Sequence, residues 1–241
     1  MFKTLSTFFG PLVVINNDIR ITQEINEIGH WEFNSFLEIL KIYEKFYAGR
    51  QGTMLDVGCN IGSWLLPMAQ RYQQNKILAF DCQPVTIECV NQTIQLNCLK
   101  NVQTECCVVS NCLEQVTYNK INYNWGANFG AYEFEPPYRG SDFNGQSTVE
   151  LDTIATKTID SLNLDQVVFI KLDIEGMEYK ALKGAVDTIQ RCGPFIAFEN
   201  HKTDSNSVEQ LLKDLNYIIY DSLGQMTLAF PTELTKHFHT I

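Results

Sequence analysis

From Thr53 onward, short apolar runs alternate with amphipathic stretches, and that alternation leaves few folds open. "TMLDV", "KILAF", "VQTECCVVS", "QVVFIKL" and "PFIAF" have the length and residue types of strands. Between them, "GSWLLPMAQRY", a segment opened by Pro84 through "VTIECVNQTIQL", "MEYKALKGAVDTIQ" and "SVEQLLKDL" read as helices. Pro67 sits where a first helical turn tolerates it. Strands joined through helices must run parallel, so the pattern predicts an α/β fold, a mostly parallel sheet with helices on both faces. "YIIYD" and "MTLAF" are separated only by the short "SLGQ", which predicts an antiparallel pair at the end.

Residues 1–50 precede this pattern and read as a strand and helix cap on a domain spanning 51–241. Leu12–Ile15 and Ile19–Ile21 read as extended, and "WEFNSFLEILKIYEKFY" as a helix stopped by the glycines of "AGRQG". The opening residues hold one Lys, an internal Pro and no small-residue cleavage pattern, so "PLVVI" reads as a strand in preference to a signal peptide. Residues 111–150 interrupt the alternation with Asn, Gly, Tyr and Phe, and read as an irregular, substrate-facing insert or flap.

The chain has 241 residues, enough for one sizeable core, and a formal net charge of −10, which argues against a nucleic-acid backbone as partner. No run of about 18 apolar residues exists to span a membrane. The eight cysteines form no C-x-x-C pair and several lie in apolar runs, which reads as reduced thiols in a cytoplasmic protein.

Two constellations carry chemistry. In "MLDVGCNIG" a strand ends, Gly58 and Gly62 bracket Asn60 in a turn, and a helix begins. Such a turn lets a ligand approach the backbone and offers free N–H groups. Its G-x-x-x-G spacing differs from the dinucleotide fingerprint, and Asp56 would repel a pyrophosphate. A cationic ligand without phosphate, such as S-adenosylmethionine, suits it better. Asp81 ends the next strand, followed by Cys82, where an acid can accept both ribose hydroxyls. Asn91, Gln95 and Asn97 on the following helix would lie near the adenine. Tight packing is the alternative reading of the two glycines. The second constellation is "FIKLDIEGMEYKAL", where Asp173, Glu175 and Glu178 crowd around Gly176 at the end of a strand.

"MLDVGCNIGSW", "ILAFDCQP" and the segment from "TIDSL" through "KLDIEGMEYKALKGA" to "FEN" resemble the FkbM-type S-adenosylmethionine-dependent methyltransferases, over about Gly29 to Asn200. The resemblance implies a class I, Rossmann-like sheet of seven strands with the last antiparallel, S-adenosylmethionine as cofactor, and O-methylation of a hydroxyl on a sugar, glycan or small natural product. "IGHWE" resembles the family's lead-in segment and adds Glu32 to the cofactor-side candidates Asp56, Gly58, Asn60, Gly62, Asp81, Cys82 and Asp173. Cys59 stands where the family usually has Ala. "FDCQP" replaces the usual "FEP", so the turn after Asp81 must differ.

An alcohol acceptor must lose a proton, to a base or through a metal. Asp173 and Glu199 end neighbouring strands and, with Asp56, would line one rim. The catalytic candidates are Asp173 with Glu175 or His201, and Lys171. Lys171 shares a strand face with Asp173, so it either pairs with that acid or acts directly. Glu178 reads equally as favourable charge at a helix start. No metal is favoured; the alternative is a hard cation on Asp173, Glu175 and Glu199. "KHFHT", with His237 and His239, reads as a tail in preference to a metal site. A methyltransferase-like binding module and an NAD-linked oxidoreductase are the rival functions. NAD binding without S-adenosylmethionine binding would favour the second, and failure to bind S-adenosylmethionine the first.

Overall fold

A computed structural model of the chain describes residues 1–134 and 147–235. Residues 135–146 of the expected insert, and His237 and His239, lie outside the described residues.

The chain opens with a hairpin of β1 (Phe2–Thr7) and β2 (Gly10–Ile15), then α1 (Ile21–Ile28) and α2 (Phe33–Tyr47). The repeating part runs β3 (Thr53–Val57), α3 (Leu65–Arg71), β4 (Lys76–Asp81), α4 (Pro84–Leu96) and β5 (Val102–Cys106). Then come β6 (Val108–Val109), β7 (Gln115–Ile121) and β8 (Ser147–Lys157). The chain returns to the main sheet with β9 (Val167–Leu172), followed by α5 (Glu178–Lys183), α6 (Val186–Cys192), β10 (Phe195–Glu199), α7 (Ser205–Asp214), β11 (Tyr217–Leu223) and β12 (Met226–Pro231).

Seven strands form the main sheet in the order β11-β12-β10-β9-β3-β4-β5. β12 runs antiparallel to both its neighbours, and the pairs from β10 to β5 are parallel. This is the expected seven-stranded sheet with its last strand reversed. Successive side chains of a strand leave opposite faces, and the core divides accordingly. Met54, Phe169, Phe195 and Ala197 pack with Phe36, Ile39, Tyr43 and Tyr47 of α2. Leu55, Ile170, Ile196 and Phe198 pack with Ala181, Leu182, Ile189, Val208 and Leu212 of α5 to α7. Tyr43 meets Phe169 and Phe195 edge-on at 5.2 and 5.6 Å, contacts worth about 0.5–1.5 kcal/mol each beyond burial.

Four local expectations are corrected. Ile19–Ile21 is not extended, because the Asp18 carboxylate accepts from the N–H groups of Arg20 and Thr22 at 3.0 and 2.8 Å and starts α1. "VQTECCVVS" is two strands, broken at Cys107, whose N–H turns to donate to the Asp81 carbonyl. "MEYKALKGAVDTIQ" is two helices. Gly184 is pressed against Ser110, so closely that a Cβ there would lie 2.1 Å from the Ser110 carbonyl oxygen. The Asp160 carboxylate then begins α6 by accepting from the N–H groups of Asp187 and Thr188. The insert is not wholly irregular either, because β7 pairs antiparallel with β8 and β6 joins β8 in a separate, three-stranded sheet.

Candidate functional site

A cleft of about 700 Å³ opens at the carboxyl ends of β3, β4, β9 and β10, where open α/β sheets bind ligands. Glu32, Gly58, Asn60, Asp81, Cys82, Asp173, Glu175, Glu199 and His201 all line it. The sheet order thus gathers residues spread over some two-thirds of the chain. Lys171, Asp56 and Gly62 are not among its lining residues.

The loop after β3 hangs on the end of β4. The N–H groups of Gly58 and Cys59 donate to the Phe80 carbonyl at 2.8 and 3.0 Å. Asn60, at φ +48°, donates its N–H to Asp81 Oδ2 at 2.9 Å. Asp81 Oδ1 accepts from the Gln83 N–H at 2.8 Å. Burial raises the Asp81 pKa, and those N–H groups pull it back. A carboxylate has about four acceptor positions, so both oxygens keep capacity for a ligand. Gly62 packs against Val90 and Leu65, the packing role that the sequence left open.

Asp56 is buried and does not line the cleft. It stands opposite Lys171 in the β3–β9 register, and its Oδ1 lies 3.3 Å from Lys171 Nζ. The same ammonium lies 3.4 Å from Asp173 Oδ2 and donates to the Gly58 carbonyl at 3.1 Å. Burial would pull the Lys171 pKa down, but Asp173 and Asp56 outweigh it and the net shift is upward. The Lys171–Asp173 pairing is therefore present, with Asp56 as a third member. Neither Asp56 nor Lys171 lines the cleft, which corrects the expected place of Asp56 on its rim.

Glu178 is fully buried at the start of α5. Its carboxylate accepts from the N–H of Ile174 at 2.9 Å and from that of Gly176 at 3.1 Å, so it closes the turn that carries Glu175. Glu175 itself, at φ +55°, contacts Lys202, whose ammonium also lies 3.6 Å from Glu133. Burial first, then the charge of Asp173, pushes the Glu175 pKa up to about 7. Glu199 is raised by burial and by the charges of Asp173, Glu175 and Glu178. Glu32, at φ +52°, is raised by burial and then by Asp173. His201 is exposed at the cleft edge.

Asn91, Gln95 and Asn97 do not line the cleft. Asn97 instead donates to the Pro11 carbonyl and holds the N-terminal hairpin, while Asn91 accepts from Thr104. That side of the cleft is lined by Cys82, Gln83, Cys107 and Val108. Gln83 escaped the sequence reading. Its Nε2 donates to the Phe129 carbonyl at 2.9 Å and its Oε1 accepts from Tyr123. Asp18 Oδ2 accepts from the Phe129 N–H at 3.2 Å, so both backbone groups of Phe129 are gripped. The grip presents Asn128, Gly130, Ala131, Tyr132 and Phe134 to the cleft. The two extra residues of "FDCQP" were the available signal for Gln83, and Asp18 had none.

The cleft therefore sets a glycine loop and Asp81 beside a cluster of acids, an arrangement that suits a cationic ligand. The sequence profile described as "Methyltransferase FkbM domain" matches residues 56–219. "Methyltransferase 1" of Beauveria bassiana (strain ARSEF 2860) is 28% identical over 147 residues, 56% of this chain and 58% of that protein. The crystal structure of methyltransferase FkbM from Methylobacillus flagellatus KT superposes with a TM-score of 0.51 at 16% identity, covering 78% of this chain and 47% of that one. The tRNA (uracil-54, C5)-methyltransferase of Pyrococcus abyssi, in complex with S-adenosyl-L-homocysteine, gives 0.50 at 10% identity over 95% of this chain and 42% of that one. At these identities the two structures speak to the fold. The chain spans little more than half the length of the curated relative and about half of the FkbM structure.

Proposed function

Because the chain belongs to the FkbM methyltransferase family, we propose that its cleft binds S-adenosylmethionine and directs the methyl group to a hydroxyl of a sugar, glycan or small natural product. The observation that carries this reading is the donor set. Glu32, Asp81 and Asp173 all line the cleft together with Gly58 and Asn60. Such a set favours a cation carrying a ribose over a diphosphate.

Bound there, S-adenosylmethionine supplies a methyl group already activated on a sulfonium. The chain's part is placement and proton removal. Asp81 accepts from the ribose hydroxyls while Asn60 and Gln83 hold its carboxylate still. Glu32 and Asp173 offset the positive charge. Asp173 orients the acceptor hydroxyl, with Lys171 fixing its carboxylate from below. Glu175 or His201, both on the cleft wall, takes the proton that the oxygen loses. Tyr132, Phe134 and Asn128 of the insert face the acceptor and supply its selectivity.

Titration calorimetry with S-adenosylmethionine and with NAD tests the cofactor. Tight NAD binding without S-adenosylmethionine binding overturns the reading. Methyl-labelled cofactor with a panel of glycosides, glycans and hydroxylated metabolites then finds the acceptor. Asp173→Asn should lose at least tenfold in kcat, and full turnover with unchanged cofactor affinity would remove Asp173 from the mechanism.

A further inference from the structure

The geometry points to a divalent-cation site on Asp173, Glu175 and Glu199, at the acceptor side of the cleft. One oxygen from each lies within 4.8 Å of the others. Two oxygens on opposite sides of one ion at about 2.3–2.6 Å lie about 4.6–5.2 Å apart, so a single calcium-sized ion reaches across that span, and a smaller ion does so once the carboxylates draw in. The donor set is all carboxylate, with neither imidazole nor thiolate in it, and this favours magnesium, manganese or calcium over zinc or copper.

The independent observation is Glu199. It is about nine-tenths buried, and its Oε2 has no hydrogen-bond partner. Among the described residues no ammonium forms an ion pair with it. The buried Lys171 is paired with Asp56 and Asp173, and the partly buried Lys202 makes its ion pairs with Glu175 and Glu133. A carboxyl group buried with one oxygen unpaired either keeps its proton or takes a cation, and a divalent ion supplies the second. It lies where two further carboxylates converge and the cleft opens beside all three.

The three acids are also set in place by the chain. Asp173 follows β9 directly, with its N–H donating to the Val57 carbonyl. Glu199 is the last residue of β10. Glu175 sits in the turn that the buried Glu178 holds shut. The cleft side leaves room for water or an acceptor oxygen to complete the shell. An acceptor hydroxyl bound to the ion would become more acidic. With Glu175 engaged by the ion, His201 remains as the proton acceptor. This last role rests on the methyltransferase reading above, while the ion site itself does not.

The test uses the full chain, stripped with chelator, and manganese(II) alone. Loss of the free-ion electron paramagnetic resonance signal and calorimetry should both report one ion per chain. Glu199→Gln should weaken its binding at least tenfold, and so should Asp173→Asn. If either variant fails to fold, the other variant and the wild-type stoichiometry carry the test. Failure to bind manganese at millimolar concentration overturns the site. Binding left intact in both folded variants does the same. S-adenosylmethionine is titrated separately in chelator. Cofactor binding with no manganese binding removes the ion and keeps the methyltransferase reading, and the converse removes that reading and keeps the ion.

Discussion

Gly58→Ala is the sharpest test of how the two halves of the sheet meet. A Cβ at this position would sit 1.8 Å from the Asp173 carbonyl oxygen and 2.7 Å from its carbon. Both are backbone atoms at the end of a central strand, so no rotamer change relieves the overlap. The residue also sits at φ +79°, which costs an L-residue about 1–2 kcal/mol. Pushing packed atoms apart adds about 1–3 kcal/mol. The stiffer unfolded chain returns about 0.4–1 kcal/mol. Gly49 provides the control, with φ +77° and open space for 4 Å around the point a Cβ would occupy. Gly49→Ala bears the same backbone strain without the clash, so the two variants should differ by the clash alone, about 1–3 kcal/mol. For a chain of this size that is roughly 2–12 °C in Tm, read by thermal melts and checked by urea titration. Because the obstructing atom belongs to Asp173, Gly58→Ala should also weaken S-adenosylmethionine binding. If the two variants melt within a degree of each other, the close approach of Gly58 and Asp173 is wrong.

Lys171→Met leaves Asp56 and Asp173 without their shared counter-charge and should cost about 3–5 kcal/mol in urea unfolding; adding Asp56→Leu should recover part of the loss, and no recovery would refute the triad. Burial holds the Glu178 pKa at about 7 against an ordinary value of 4.5, so the folded chain keeps a proton that the unfolded chain has released. Its contribution is fully present below the ordinary value and is lost as pH rises through about 7. Glu178→Gln can still accept from Ile174 and Gly176, and should flatten the fall in Tm between pH 5 and pH 8. An unchanged slope would refute the shift. Gln83→Ala leaves the Phe129 carbonyl unpaired at a cost of about 1–3 kcal/mol. It should speed hydrogen exchange around Phe129 and raise the acceptor KM more than the cofactor KM.

The sheet was legible because its strands announce themselves. "VVFIKL" can hardly be anything but a buried strand, and Gly58 and Gly62 mark where a strand gives way to a helix. Asp81, Asp173 and Glu199 were legible as residues of the cleft because each stands at a strand's carboxyl end. What stayed hidden depends on which strands are neighbours. Asp56 and Lys171 are 115 positions apart, and only the β3–β9 register sets them opposite. The break at Gly184 comes from the Ser110 backbone, which nothing within "ALKGAV" reveals. β7 was obscured because its partner β8 lies beyond a long stretch rich in Gly and Asn. Gln83 and Asp18 act on Phe129 across 46 and 111 positions, beyond the reach of local pattern.

The Lys171 triad also bears on how the chain finds its fold. The strands of the sheet are apolar runs of similar length, and several registers would bury them about equally well. In the native register Asp56 and Lys171 are direct partners and Asp173 closes the group. A slip of one residue between β3 and β9 would turn one charge to the opposite face. If β9 is the strand that flips, the ammonium goes over to the face of Leu55 and Ile196, parted from Asp56 and with only Asp173 of its own strand beside it. The Asp56–Lys171 contact is thus an alignment key between β3 and β9, made only in the register that also brings Gly58 against Asp173.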